Sequence, residues 1–213
     1  LTPFKKWDNK EIKNLRVLLK AEGKCTTDHV SPAGPWLKYR GHLENISQNM
    51  YSGALNAYTQ SNGEAINTDT KKTDDIYKVA QYYKSNTIDW IAVADENYGE
   101  GSSREHAAME PRFMGCKIVL VKSFARIAQT NLKKQGILPL MFKNKSDYER
   151  IEAFDTISTI NLNEFNSSTN INLLLTKPDG STYTIETIHT FSDNQISWFK
   201  AGSALNLIAN QTS

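Results

Sequence analysis

The sequence predicts an α/β domain in which a parallel sheet layer and an antiparallel layer are flanked by helices. Three observations predict it. Helical and apolar strand-like runs alternate over residues 74–142, the pattern of βαβ units and a parallel sheet. Beyond about residue 155 three short strand-like runs follow, with Pro178-Asp179-Gly180 as a hairpin turn between the last two. Within the first of these regions, Trp90-Ile91-Ala92-Val93-Ala94 leads into Glu96-Asn97-Tyr98-Gly99-Glu100-Gly101-Ser102-Ser103-Arg104-Glu105-His106, read as strand, glycine turn and helix start. Such a junction gathers outward-pointing backbone N–H groups and suits an anion.

Taken in order, Ile12–Lys20 fits a strand, and its periodicity also admits a short helix. Residues 31–72 are rich in Ser, Asn, Gly and Thr and read as a long irregular stretch with room for a helical turn. Loops this long in a compact domain are usually functional or mobile. Asp74–Ser85 reads as helix, because Ile76, Val79, Ala80 and Tyr83 fall on one face and Asp74 stands where a cap belongs. Ile88–Ala94 is a strand of the kind buried on both faces. Ser103 to about Met114 reads as helix, interrupted near Pro111.

Lys117–Val121 and Ile137–Phe142 continue the buried strands. Between them Ser123 caps a helix with Phe124, Ile127, Ala128, Asn131 and Leu132 inward and Gly136 as its stop. Ile157–Leu162, Ile171–Thr176 and Thr182–His189 form the antiparallel part. Ser192 then caps a last helix through Ile196 and Phe199, with Gly202 near its end.

At 213 residues the chain is long enough for one domain, or one domain with a leader. Hydrophobic residues at 39% and charged residues at 23% place it among ordinary globular proteins. A net charge of +2 leaves no broad basic face, which argues against a nucleic-acid partner. No apolar run approaches the roughly 20 residues of a membrane helix. The start, Leu1-Thr2-Pro3-Phe4-Lys5-Lys6-Trp7, lacks the apolar centre of a signal peptide. Since Leu1 is not methionine, the chain reads as a piece of a longer protein or one numbered late. Cys25 and Cys116 lie far apart and outside any CxxC pattern, which argues for a reducing compartment. They cannot supply a four-thiolate metal site.

Chemistry concentrates at Ser102, Ser103 and Arg104. Gly99 and Gly101 let backbone approach a ligand, and Arg104 can grip a carboxylate with two prongs. A serine there would lose its proton more readily than in water, because a helix start and a guanidinium both favour an anion. Ser102-Ser103-Arg104-Glu105 equally fits a capping box. Arg40, within Trp36-Leu37-Lys38-Tyr39-Arg40-Gly41-His42, fits either a ligand contact or a solvated loop arginine. Cys25-Thr26-Thr27-Asp28-His29 mixes soft and hard ligand types without a standard metal spacing. His106 and His189 read as packing or surface histidines. Lys133-Lys134 suits the dipole at a helix end.

Four strings carry a resemblance: Lys24–His29, Gly34–Leu43, Asp95–His106, and Ser123–Ile127 with Asn131–Gly136. With the tail Trp198–Asn206 they resemble the C-terminal domain of aconitate hydratases of the mitochondrial type, over nearly the whole chain. The resemblance implies a swivelling β/β/α domain over residues 23–213, with 1–22 as leader or linker from upstream domains. It implies closure over an active site built mainly by three other domains of the same protein. Those domains would hold a 4Fe–4S cluster through three cysteines, with the iron as Lewis acid and no metal bound by this chain.

The implied reaction is the isomerisation of citrate and isocitrate through cis-aconitate. Motif by motif, Ser102 is the implied base, and Ser103, Arg104 and Arg40 are the implied substrate-binding residues. The implied partners are citrate, cis-aconitate, isocitrate and the three N-terminal domains, without nucleic acid or membrane. The implied location is the mitochondrial matrix, or the bacterial cytoplasm, and the chain alone should be inactive. Phe113 and Cys116 depart from the usual pattern outside the motifs. The alternatives are the small subunit of an isopropylmalate isomerase-type hydro-lyase, which has a similar Gly-Ser-Ser-Arg-Glu turn, a bare carboxylate-binding module, and an RNA-binding regulator.

Overall fold

The computed structural model describes residues 3–213. Seven strands close into a barrel: β1 (Leu15–Lys20), β2 (Trp90–Ala94), β3 (Cys116–Val121), β4 (Leu138–Phe142), β5 (Thr156–Ile160), β6 (Asn172–Thr176) and β7 (Thr182–Ile188). Their order around the barrel is β1-β2-β3-β4-β7-β6-β5. β1 to β4 run parallel. The β4–β7, β7–β6, β6–β5 and closing β5–β1 pairs are antiparallel. The expected parallel and antiparallel layers are therefore the two halves of one closed sheet.

Alternation along each strand sorts the residues. Ile91 and Val93, Ile118 and Leu120, and Leu138 and Leu140 fill the barrel together with Leu173, Leu175 and Ile185. Trp90, Ala92 and Ala94, with Val119 and Val121, face outward into a second core beneath the helices. A strand covered on both sides has no place for polar residues, hence the continuous apolar runs. Helices α1 (Ile76–Ser85), α2 (His106–Met114) and α3 (Arg126–Lys134) lie in the connections to β2, β3 and β4. Ile76, Val79, Ala80 and Tyr83 of α1 and Ala108, Met114 and Leu132 enter that outer core.

Several boundaries differ from expectation. The expected leader, residues 1–22, contains β1, which pairs with both β2 and β5 and so closes the barrel. Leu15 and Leu19 are fully buried, so Leu15–Lys20 is a strand of the barrel rather than linker. Residues 31–72 hold short helical turns at Gly34–Tyr39, Leu43–Ile46 and Ser47–Asn49, and two small hairpins. Asp74 does not cap α1, because Lys72–Asp75 is a strand paired with Glu64–Asn67. The α1 N-cap is Asp75, without a side-chain bond.

Ser123 is not a cap either. Its hydroxyl donates to Glu96 and accepts from the Asn97 N–H, while α3 starts after Ala125. Helix α2 runs on through Pro111 and ends at Gly115 with φ +107°. The hairpin at Pro178-Asp179-Gly180 and the cap Ser192 on α4 (Asp193–Ala201) form as expected. Past Gly202 the chain starts again as α5 (Ala204–Thr212), capped by Ser203.

Candidate active site

The glycine loop leaves the carboxyl end of β2, the rim where open α/β sheets bind ligands. Hydrogen bonds fix it from both sides. The Gly99 N–H donates to the Cys25 carbonyl at 2.8 Å and the Thr27 N–H to the Glu100 carbonyl at 3.0 Å. On the other side the Tyr98 N–H donates to Ser123 and the Ala125 N–H to Tyr98. Tyr98 is a buried anchor, its hydroxyl 2.7 Å from that of Tyr51 and its ring edge-on to Phe124 at 5.8 Å. Gly99 has φ +80°, and a Cβ added there would sit 2.2 Å from that of Ala128. Only glycine lets the turn pass over α3.

Gly101, at φ +115°, then swings the chain outward. Helix α2 begins only at His106, with Glu105 as an N-cap lacking a side-chain bond, so the expected capping box of Ser102 and Glu105 does not form. Ser102 and Ser103 are exposed on the loop ahead of the helix. Among the described residues, the N–H groups of Ser102, Ser103, Arg104 and Glu105 have no backbone acceptor. Successive free amides of this kind make an anion cradle.

The structure brings all four expected site residues together. Arg40, Ser102, Ser103 and Arg104 line one open concavity of about 500 Å³. Arg104 donates through Nη1 to the Ser31 carbonyl at 3.0 Å and pairs through the same nitrogen with Asp28. Among the described residues, its Nε and Nη2 have no hydrogen-bond partner. The Arg40 carbonyl accepts from His106 Nε2 at 2.8 Å, which ties the arginine's turn to the head of α2.

Sequence reasoning missed Asp28, Ser31 and His106 as supports of the two arginines. The string around Asp28 mixes ligand types without a metal spacing, and its role here is structural. Thr26 and His29 cap each other around the helical turn Thr27–Val30, with the Thr26 N–H donating to His29 Nδ1 at 3.1 Å. His189 packs: its Nε2 donates to the Thr169 carbonyl at 2.7 Å, and burial pushes its pKa down.

Two further groups define the electrostatics. Burial pushes the Cys25 and Cys116 thiols up to about 12, so both are inert at neutral pH. Glu110 of α2 is fully buried, and burial pushes its carboxyl up from 4.5 to about 8, with the Ser31 hydroxyl acting the other way. Folding therefore takes up a proton at Glu110. Its contribution to stability is fully present below 4.5 and is lost as pH rises through about 8.

The structure is thus an α/β domain on a half-parallel barrel, with free amides and two arginines gathered at one rim. The chain matches the family model for the aconitase C-terminal domain over residues 15–145. It belongs to that family. It is 53% identical over 212 residues to a probable mitochondrial aconitate hydratase of Dictyostelium discoideum, covering 99% of this chain and 28% of that protein.

Identity is also 53%, over 215 residues, to the mitochondrial homocitrate dehydratase of Saccharomyces cerevisiae, covering 99% of this chain and 27% of that protein. The fold is shared with the crystal structure of 3-isopropylmalate dehydratase from Methanocaldococcus jannaschii, at a TM-score of 0.62 and 21% identity, over 95% of this chain and 96% of that one. The chain thus spans little more than a quarter of the length of the two curated relatives.

Proposed function

We propose that this chain is the swivelling C-terminal part of a hydro-lyase that interconverts citrate and isocitrate through cis-aconitate. Ser102 is the base, and Arg40, Ser103 and Arg104 hold substrate carboxylates. The observation that carries this reading is the meeting of Arg40 with the Ser102–Arg104 loop in one concavity. A proton on carbon beside a carboxylate is only weakly acidic, so its removal needs a strong base and nearby positive charge. The free loop amides favour the Ser102 alkoxide, which takes the proton onto Oγ. The two guanidiniums offset the charge that grows on the substrate.

The 4Fe–4S cluster belongs in this reading to the remaining domains of the same protein. Cys25 and Cys116 do not fit as its ligands, since both are buried as protonated thiols and a ligand is a thiolate. Among the described residues no group of three His, Cys, Asp or Glu is placed to hold a metal. The relatives are named as mitochondrial, which favours a mitochondrial over a bacterial cytoplasmic location.

The equal identity to a homocitrate dehydratase supports a second reading, in which the substrate is a longer 2-hydroxy tricarboxylate. The ratio of kcat/KM for citrate and homocitrate separates the two. The isopropylmalate isomerase alternative rests on the shared fold and the Gly-Ser-Ser-Arg-Glu turn, at only 21% identity.

Arg40→Lys in the full-length protein should raise KM for citrate roughly ten-fold while kcat falls less, because an ammonium cannot make the two-pronged contact. An unchanged KM would remove Arg40 from the clamp. This chain expressed alone should leave cis-aconitate unconverted, and turnover by it would overturn the division of labour between domains.

A further inference from the structure

Glu110 is the one buried carboxyl beside the site that the chemistry above does not use. It sits on α2 four residues beyond His106, is fully buried, and neither Oε1 nor Oε2 has a well-formed hydrogen bond. Helix α2 packs against α1, α3, β3 and the turns Leu43–Ile46 and Ser47–Asn49. The charged and titratable groups on those elements are Glu44, Tyr77, Lys78, Tyr82, Tyr83, Lys84, Cys116, Lys117, Arg126, Lys133 and Lys134, with His106 and Arg112 on α2 itself. None of them acts on Glu110: burial and the Ser31 hydroxyl account for its state.

Both carboxyl oxygens are shut off from water without a well-formed hydrogen bond, and the Ser31 hydroxyl alone is at hand to meet a charge there. A carboxylate only accepts, whereas a carboxylic acid brings one O–H. An unpaired charge in this position would also be costly. Ser31 links the group to the site, because its carbonyl receives Arg104 at 3.0 Å.

We propose that Glu110 is a positioning residue that works only as the neutral acid, supporting residues 31–49 so that Ser31 holds Arg104 and the turn holds Arg40. The inference rests on the carboxylate-clamp reading given above. A titration near pH 8 places loss of this support within the range an assay can reach.

The test uses the full-length protein, with KM and kcat for citrate followed from pH 7 to 9. In the wild type, KM rises several-fold above pH 8 as Glu110 ionises. Glu110→Gln, neutral at every pH, keeps KM within about two-fold at pH 7 and abolishes that rise. Glu110→Ala raises KM roughly ten-fold at pH 7 with kcat little changed. An alkaline rise in KM that persists in Glu110→Gln overturns the proposal.

A second readout is independent of turnover. The infrared carbonyl band of a protonated carboxyl should be present at pH 7, absent from Glu110→Gln, and lost on titration near pH 8 in the wild type. Absence of that band at pH 7 also overturns the proposal, and this arm decides if Glu110→Ala does not accumulate. If the clamp reading itself fails, Arg40→Lys leaves KM unchanged while the infrared band and its titration remain.

Discussion

Ser102→Ala in the full-length protein lowers kcat roughly 10³-fold and changes KM for citrate by less than about three-fold. The side chain is exposed on a loop whose amides are free, so its removal leaves no cavity and no buried group unsatisfied. Folding and cluster content should therefore match the wild type. In the proposed mechanism what is lost is the oxygen that receives the substrate proton, an interaction made only as the C–H bond breaks. Single-turnover formation of cis-aconitate from citrate measures that step directly. Equal losses in binding and turnover would reassign Ser102 as a binding residue.

Gly99→Ala is the second large effect, and it arrives through the backbone. The residue is buried at φ +80°, and the new methyl would meet the Ala128 Cβ at 2.2 Å. Left-handed strain and overpacking together cost roughly 2–5 kcal/mol. Part of that cost is met by moving the loop, which also displaces Ser102 and Arg104. Both the melting temperature and kcat/KM should fall. Adding Ala128→Gly removes the steric clash but not the strained φ, so the double variant should regain part of the stability and most of the activity. A single variant as stable as the wild type would show that the loop is not pinned against α3.

The parallel half of the barrel was readable in the sequence, because strands covered on both faces must be apolar throughout and the helices between them carry a clean repeat. β2, β3, β4 and α1 fall within two residues or so of their expected limits. Residues 31–72 were not readable, for a different physical reason: helical turns of three or four residues complete no period, and the paired segments Glu64–Asn67 and Lys72–Asp75 are mostly polar. The start of α2 was misplaced because Ser-x-x-Glu satisfies a capping pattern whether or not the backbone is helical there. Gly101 at φ +115° sends it elsewhere.

Of the site, Ser102, Ser103, Arg104 and Arg40 were reached through residue type and resemblance. Asp28, Ser31, His106 and Glu110 were not. Their roles depend on contacts across long sequence separations, such as His106 with Arg40, that leave no local periodic trace.

The family match ends at residue 145, yet the barrel is sealed only by β5, β6 and β7 beyond it. A protein cut at that point would keep every residue of the proposed clamp and still be a different object. Its sheet would end in two raw margins, β1 and β4, each with a row of unsatisfied amides and carbonyls. Margins of that kind zip onto those of neighbouring molecules. The last three strands, remote from the proposed clamp, cover both margins and so guard copies of the domain against sticking to one another.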